Sequence, residues 1–305
     1  MPPGPILLLD SASLYYRSFY ALPDSMRAPD GRPHQAIRGF LTMLDAFHSA
    51  YSPSGVVACW DEDWRPEWRV ELMPSYKAHR VAQEAPDGTW IEEEPDALTP
   101  QAQALAAILD AAGVPRVGVP DYEADDVAAT LASTLAGPVV VVSGDRDLVQ
   151  LVDDAGQVKV LLAVNGGMSK WPLLDEAGVL ERFGVAASQY VDYAVMRGDP
   201  SDGIPGVPGI GTKTAAALLQ QYGSLDALLD ATSQPPRPPL TARIQGLLRE
   251  HADAVRTART VATAARELPV VVDTALPVRP RDSKALAELL DQWGVGRFLP
   301  SWLPR

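Results

Sequence analysis

Three carboxylates crowd four positions at 123-EADD-126, where Glu123, Asp125 and Asp126 stand at the head of the apolar spacing Ala124, Val127, Ala128 and Leu131. Recurrence at i, i+3, i+4 and i+7 predicts a helix with one buried face. Acids at its start have an ordinary use, because free backbone N–H groups and the positive end of the helix dipole attract carboxylates. They also have a chemical use, which the rest of the chain brings forward. Asp10, Asp61, Asp145 and Asp147 each follow a short apolar run, in 6-ILLLD-10, 55-GVVACWD-61 and 138-PVVVVSGDRD-147. Asp199 and Asp202 are three apart in the turn-rich 198-GDPSDGIPG-206. Carboxylates at such density repel one another, so they either hold protons or require cations. Hard divalent ions prefer oxygen donors, and a pair about 4 Å apart clamps the attacking and leaving oxygens of a phosphodiester displacement. The chemistry these nine acids point to is metal-assisted phosphodiester hydrolysis, with Mg²⁺ or Mn²⁺ as the ion.

The elements that must carry them follow from the same runs. The apolar stretches read as buried strands, and helical patterns lie between them at 36–50, 101–112 and 124–136. Strand and helix in alternation imply an α/β fold with a parallel sheet covered on both faces. The carboxyl edges of such strands share one crevice, where α/β proteins bind ligands. Two basic side chains, Lys77 and Arg80 in 76-YKAHR-80, fall on one face if that segment is helical and, with Arg69 upstream, could offset charge on a scissile phosphate.

The segment 206-GVPGIGTKTAAALL-219 mimics two nucleotide motifs and satisfies neither. Gly211 is followed by Thr212 before Lys213, one residue out of register for GxxxxGK[ST], and Gly206, Gly209 and Gly211 read G-x-x-G-x-G rather than GxGxxG. What remains is a glycine hairpin opening a helix near Thr212, whose backbone N–H groups and Lys213 could meet a phosphate without reading sequence.

Bulk properties fit a folded protein of one large domain or two smaller ones, with 47% hydrophobic residues in 305. A formal charge of −13 argues against a phosphate-rich partner, but removing nine metal-bound carboxylates would leave −4. The four histidines lack zinc spacing, and the single Cys59 reads as a small buried side chain. No membrane-length apolar run or secretory signal is apparent, so the expectation is a cytoplasmic protein that works without a membrane.

In order along the chain, LLLDSASLYYRSFYALP, the WD of Asp61, YKAHR, EADD, SGDRDLVQL and GDPSDGIPGVPGIGTKTAAALL resemble the 5′ nuclease family, which includes the 5′→3′ exonuclease domain of bacterial DNA polymerase I and the flap endonucleases. The resemblance implies a PIN-like parallel-sheet nuclease core over 1–175 with a helical arch at about 70–100. A C-terminal helical region over 176–305 would contain a helix-three-turn-helix. It implies that Asp10, Asp61, Glu123, Asp125, Asp126, Asp145, Asp147, Asp199 and Asp202 hold two or three divalent ions. Lys77, Arg80 and Arg69 would act at the phosphate and Tyr76 would stack on a terminal base. Gly206, Gly209, Gly211, Lys213 and Thr214 would lie at duplex phosphates, with K⁺ at the hairpin. The implied substrate is DNA with 5′ flaps, nicks or recessed ends, cut by a stand-alone, nucleoid-associated monomer.

This sequence departs from the family pattern at DSAS in place of DGSS, at Gly203 in place of Asn, and at the acidic 83-QEAPDGTWIEEEPDALTPQ-101, where an altered arch is expected. The tail after 234-QPPRPP-239 reads as helices completing the second domain. A DNA structure-binding protein with weakened catalysis and a PIN-like ribonuclease are the competing functions.

Overall fold

The computed structural model describes residues 4–85 and 90–304. Its elements run β1 (Ile6–Asp10), α1 (Ser11–Ala21), α2 (Gln35–Tyr51), β2 (Gly55–Cys59), α3 (Glu67–Leu72), a 3₁₀ turn (Ala78–Arg80), β3 (Val81–Glu84), β4 (Trp90–Glu92), α4 (Thr99–Ala112), β5 (Arg116–Val117) and α5 (Ala124–Thr134). They continue with β6 (Val139–Ser143), β7 (Val158–Leu162), β8 (Leu173–Leu174), α6 (Glu176–Phe183), α7 (Tyr190–Arg197), α8 (Thr212–Tyr222), α9 (Leu225–Ala231), α10 (Ala242–Glu250), α11 (Ala252–Ala262) and α12 (Ser283–Trp293).

The main sheet has the order β5-β2-β1-β6-β7-β8, parallel except for β8. From β1 the chain builds outward through β2 and β5, then returns to place β6 on the other side of β1. That reversal opens a crevice beyond the carboxyl ends of β1 and β6, as open α/β sheets require. Successive side chains alternate between faces, so each strand feeds two cores. Leu8, Val57, Val141 and Val160 join α5 and α7 on one face, while Leu7, Leu9, Val56, Val140 and Val142 join α2 and α4 on the other. Cys59 is buried, as its apolar setting indicates.

Two parts of the chain depart from expectation. Where a helical arch is implied, the described residues hold α3, the 3₁₀ turn and the antiparallel β3–β4 hairpin. Pro86 and Gly88 lie outside the described residues. The tail also divides. α11 packs on α7, but α12 packs on α4 and joins the core of Leu7 and Leu9. Before it, the Thr274 carbonyl accepts from Val56 N–H at 2.9 Å, so the chain has already crossed back to the sheet edge. The proline-rich 234–239 stretch sits inside the helical unit, where the Gln234 carbonyl accepts from the Gln245 amide at 2.6 Å.

Candidate active site

Each acid is delivered by the end of an element. Asp10 closes β1 and caps α1, accepting from Ser13 N–H at 3.1 Å and from the Ser143 hydroxyl. Asp61, just past β2, accepts from Ala124 N–H at 2.7 Å and so fixes the start of α5 to the sheet. Asp145 follows β6 and accepts from Asp147 N–H at 2.8 Å. Asp199 lies after α7, where it accepts from Ser201 N–H and from Arg197, each at 3.0 Å.

These positions converge on one cavity of about 860 Å³, lined by Asp10, Asp61, Glu123, Asp125, Asp145 and Asp199 together with Lys77 and Arg80. Asp147 and Asp202 are buried and do not line it. Burial raises the Asp10 pKa to about 6, helped by the charge of Asp145 against the pull of its hydrogen bonds. Asp61 is raised to about 7 by burial and then by Asp10 and Glu123. Asp125 is pushed well above the carboxylate range by burial, Asp10 and Asp145. Burial also raises Asp147, followed by Asp145, Asp202 and Asp199, and it raises Asp202 to about 6 despite Lys77. The charge of Asp145 thus acts on Asp10 and Asp125 on one side and on Asp147 and Asp202 on the other.

Among the described residues no three acidic, histidine or cysteine side chains already close into a ligand cage. Their convergence lies in the shared cavity and in the field that each feels from the others. Two observations fit this set to hard cations: every donor is a carboxylate oxygen, and Asp147 Oδ1 is buried without a hydrogen-bond partner.

Asp126 departs from the reading as a metal acid. It is fully buried, and its Oδ1 accepts from Arg69 at 2.8 Å and from Ala265 N–H at 2.8 Å. Its Oδ2 accepts from Glu123 N–H at 3.2 Å, completing a capping box. With every partner supplied by the protein, Asp126 is an interior acid. Arg69 departs likewise: it is 3% exposed, pairs with Glu123 and Asp126, and donates from Nε to the Val261 carbonyl at 3.1 Å. It does not line the cavity. Tyr76 is 4% exposed and donates its hydroxyl to Glu123 Oε2 at 2.6 Å, so its ring is closed to a base.

Lys77 and Arg80 do face the cavity, though by a turn rather than a helix face. Lys77 has φ +48°, a left-handed conformation secured by its N–H donating to the Asp202 carbonyl at 3.1 Å. Its ammonium pairs with Glu123 Oε1, and that charge, with Tyr76 and Asp202, holds it protonated well above the usual lysine range against the effect of burial. Glu123 is lowered on balance, because Lys77 and Arg69 overcome its burial. Arg80 donates to the Ser201 carbonyl at 2.8 Å and lies 3.5 Å from Asp202.

Some cavity residues escaped the sequence reading. Tyr16 donates toward Glu92 and Glu94 at 3.1 and 3.0 Å, and all three line the cavity with Glu93. Tyr16 lies within the helix that Asp10 caps, which is the signal that could have found it. The acids belong to the altered arch segment and had no motif to reveal them.

The glycine hairpin stands apart from this cavity. Gly209, Gly211 and Lys213 are exposed at the start of α8, with Thr214 half-buried behind them. Gly206 differs, because a Cβ there would lie 2.6 Å from Gly198 N; it shapes the turn. Gly203 has φ +71°, and a Cβ there would lie 2.1 Å from the Ser75 carbonyl oxygen. The close approach of these two backbones accounts for glycine at this departure from the family pattern.

Acids at the switch point of a parallel sheet, facing the Lys77 and Arg80 side chains, define a phosphoryl-transfer site of the kind that metal-dependent nucleases use. The family profile described as "5'-3' exonuclease, N-terminal resolvase-like domain" matches residues 5–184, and that described as "5'-3' exonuclease, C-terminal SAM fold" matches 185–284. The chain belongs to the 5'-3' exonuclease family. It is 50% identical over 294 residues to a Streptomyces coelicolor protein named 5'-3' exonuclease, covering 96% of this chain and 97% of that one. A Mycobacterium tuberculosis protein of the same name is 43% identical over 302 residues, covering 96% and 94%. Among solved structures, the bacteriophage T5 flap endonuclease in a complex with DNA and metal ions shares the fold, at TM-score 0.63 and 20% identity over 84% of this chain and 88% of that one.

Proposed function

We propose that this nuclease is dependent on Mg²⁺ or Mn²⁺ and hydrolyses DNA phosphodiesters at 5′ flaps, nicks and recessed 5′ ends. The observation that carries the reading is the single cavity in which Asp10, Asp61, Glu123, Asp125, Asp145 and Asp199 face Lys77 and Arg80. Asp10, Asp61, Asp125 and Asp145 would hold one divalent ion, and Asp145, Asp147, Asp199 and Asp202 a second. Bound there, such ions supply charge neutralisation and lower the pKa of an attacking water.

The chain's own groups do the rest. Lys77 and Arg80 are cations at the cavity wall, placed to bind non-bridging oxygens of the scissile phosphate and to stabilise the charge that grows there. Glu123 orients the Lys77 ammonium. At a distance, Gly209, Gly211 and Lys213 grip duplex phosphates through exposed backbone N–H groups and the α8 dipole, with K⁺ as a candidate companion ion. This division leaves bases unread and selects substrate by shape. Bacterial relatives and a DNA substrate favour the cytoplasm beside the nucleoid, and we read the protein as a monomer there; among the described residues no helix is long and apolar enough to cross a membrane.

The test is cleavage of matched 5′-flap, nicked and recessed-end substrates, in DNA and in RNA, with Mg²⁺, with Mn²⁺ and with EDTA. Metal-dependent cutting of DNA flaps and 5′ ends supports the reading. Preference for RNA would favour a ribonuclease, and tight DNA binding with no cleavage in either metal would indicate a structure-binding protein.

A further inference from the structure

Glu123 is the hinge between the cavity and the interior, and its two oxygens have different company. Oε2 accepts from the Tyr76 hydroxyl at 2.6 Å and from the Arg69 guanidinium; Oε1 meets the ammonium of Lys77, which lines the cavity. Tyr76 and Arg69 are both buried, and neither lines the cavity. Arg69 is itself fixed on two sides, by Asp126 at 2.8 Å and by the Val261 carbonyl at 3.1 Å. The Tyr76 ring packs between charges, with Lys77 Nζ 5.2 Å and the Arg69 guanidinium 5.7 Å from its centroid. A carboxylate held at one oxygen by a phenol and a guanidinium cannot rotate freely, so its second oxygen keeps one direction.

From this arrangement we infer that Tyr76 and Arg69 are positioning residues. They lock Glu123 Oε2 so that Oε1 aims the Lys77 ammonium into the cavity, and neither touches DNA. The inference rests on the proposed role of Lys77 at the scissile phosphate, and it assigns Tyr76 a task opposite to base stacking.

The two tasks separate cleanly at Tyr76→Phe, which keeps the ring and removes only the hydroxyl. Stacking would survive that change. Positioning would not: a hydrogen bond to a buried charged group is lost, and the single-turnover rate on a saturating 5′-flap DNA in Mg²⁺ should fall by about ten- to a hundredfold. The Kd for the same flap in EDTA, read by fluorescence anisotropy, should stay within about twofold of wild type. Arg69→Lys, which keeps the charge and loses the fork, should give the same split between rate and affinity. Lys77→Ala provides the control, because in that background Tyr76→Phe should have no further effect on rate.

A Tyr76→Phe protein that cleaves at the wild-type rate overturns the inference. So does one whose rate and affinity fall together, which would mark a substrate contact, or one that melts cooperatively far below wild type, which would mark a purely structural hydroxyl. If Lys77→Ala itself cleaves normally, the underlying reading of the site fails instead, and the two failures are told apart.

Discussion

Asp125 and Asp126 are neighbours in the first turn of α5, and they live under opposite electrostatic regimes. Asp125 looks into the cavity, where burial, Asp10 and Asp145 push its pKa well up. Asp126 looks into the interior, where Arg69, Ala265 N–H and Glu123 N–H occupy its oxygens. The part of the cavity wall formed by Asp10, Asp61 and Asp125 is therefore uncompensated, and it is backed by a seam of compensated acids. The difference teaches that an acid-rich motif is not one site. Charges that the protein satisfies itself build the frame, and charges that it leaves in mutual repulsion are the ones available to a cation.

The largest way to break this contrast is at the seam. Arg69→Met would leave Glu123 and Asp126 buried against one another without their shared cation, and should cost about 3–5 kcal/mol in chemical denaturation. A loss under about 1 kcal/mol would mean that the seam is not held by charge.

The cavity wall should respond to pH with the opposite sign. Asp61 is raised to about 7 in the folded protein against an ordinary 3.8. Its contribution to stability is therefore fully present below the unfolded pKa, is lost as pH rises toward 7, and stays lost above it. Metal-free protein should lose melting temperature between about pH 4 and pH 7, with Asp61→Asn more stable than wild type at pH 8 by an amount on the order of a few kcal/mol. Asparagine keeps the oxygen that accepts from Ala124 N–H, so the cap survives. Mg²⁺ should raise the melting temperature of the wild type at pH 8 more than that of the variant. An Asp61→Asn protein less stable than wild type at pH 8 would show that this wall is compensated after all.

The smallest expected effect lies away from both regions, at the glycine hairpin. Gly209 has φ +81°, so a side chain there would strain the backbone whatever it did to DNA. Gly211, at φ −97° with nothing within 4 Å of its would-be Cβ, is the cleaner probe. Gly211→Val should weaken duplex DNA binding about tenfold by crowding a charge-assisted phosphate contact, with a stability loss of about 1 kcal/mol because valine caps α8 less well than glycine. Unchanged affinity in a gel-shift titration would remove the hairpin from the DNA path.

Much of the cavity was legible because strand ends are local. The apolar runs at Ile6, Gly55 and Val139 end where the acids begin, and a parallel sheet sends all such ends to one edge. The seam was not legible, because its partners are remote. Asp126 meets Arg69 across 57 positions and Ala265 across 139. Nothing near 123-EADD-126 distinguishes a carboxylate with those partners from one without them. Tyr76 misled for a related reason: its neighbours in YKAHR face the cavity, and only the fold turns its ring inward. In the arch segment a signal was present, since Trp90 and Ile91 favour the strand that β4 forms.

The contrast between wall and seam is tested most directly by comparing Asp125→Asn with Asp126→Asn. Asparagine keeps shape and capping while removing charge, so it is a poor metal ligand and a tolerable cap. Single-turnover cleavage of a 5′-flap DNA, in Mg²⁺ and in Mn²⁺, would be measured beside a thermal melt of each metal-free protein. Asp125→Asn should melt at or above the wild-type temperature and lose cleavage by orders of magnitude, while Asp126→Asn should melt lower, by roughly 1–3 kcal/mol of stability, and still cleave within about tenfold of wild type. Near-normal cleavage by Asp125→Asn, or a fully stable Asp126→Asn that cannot cleave, would contradict the account.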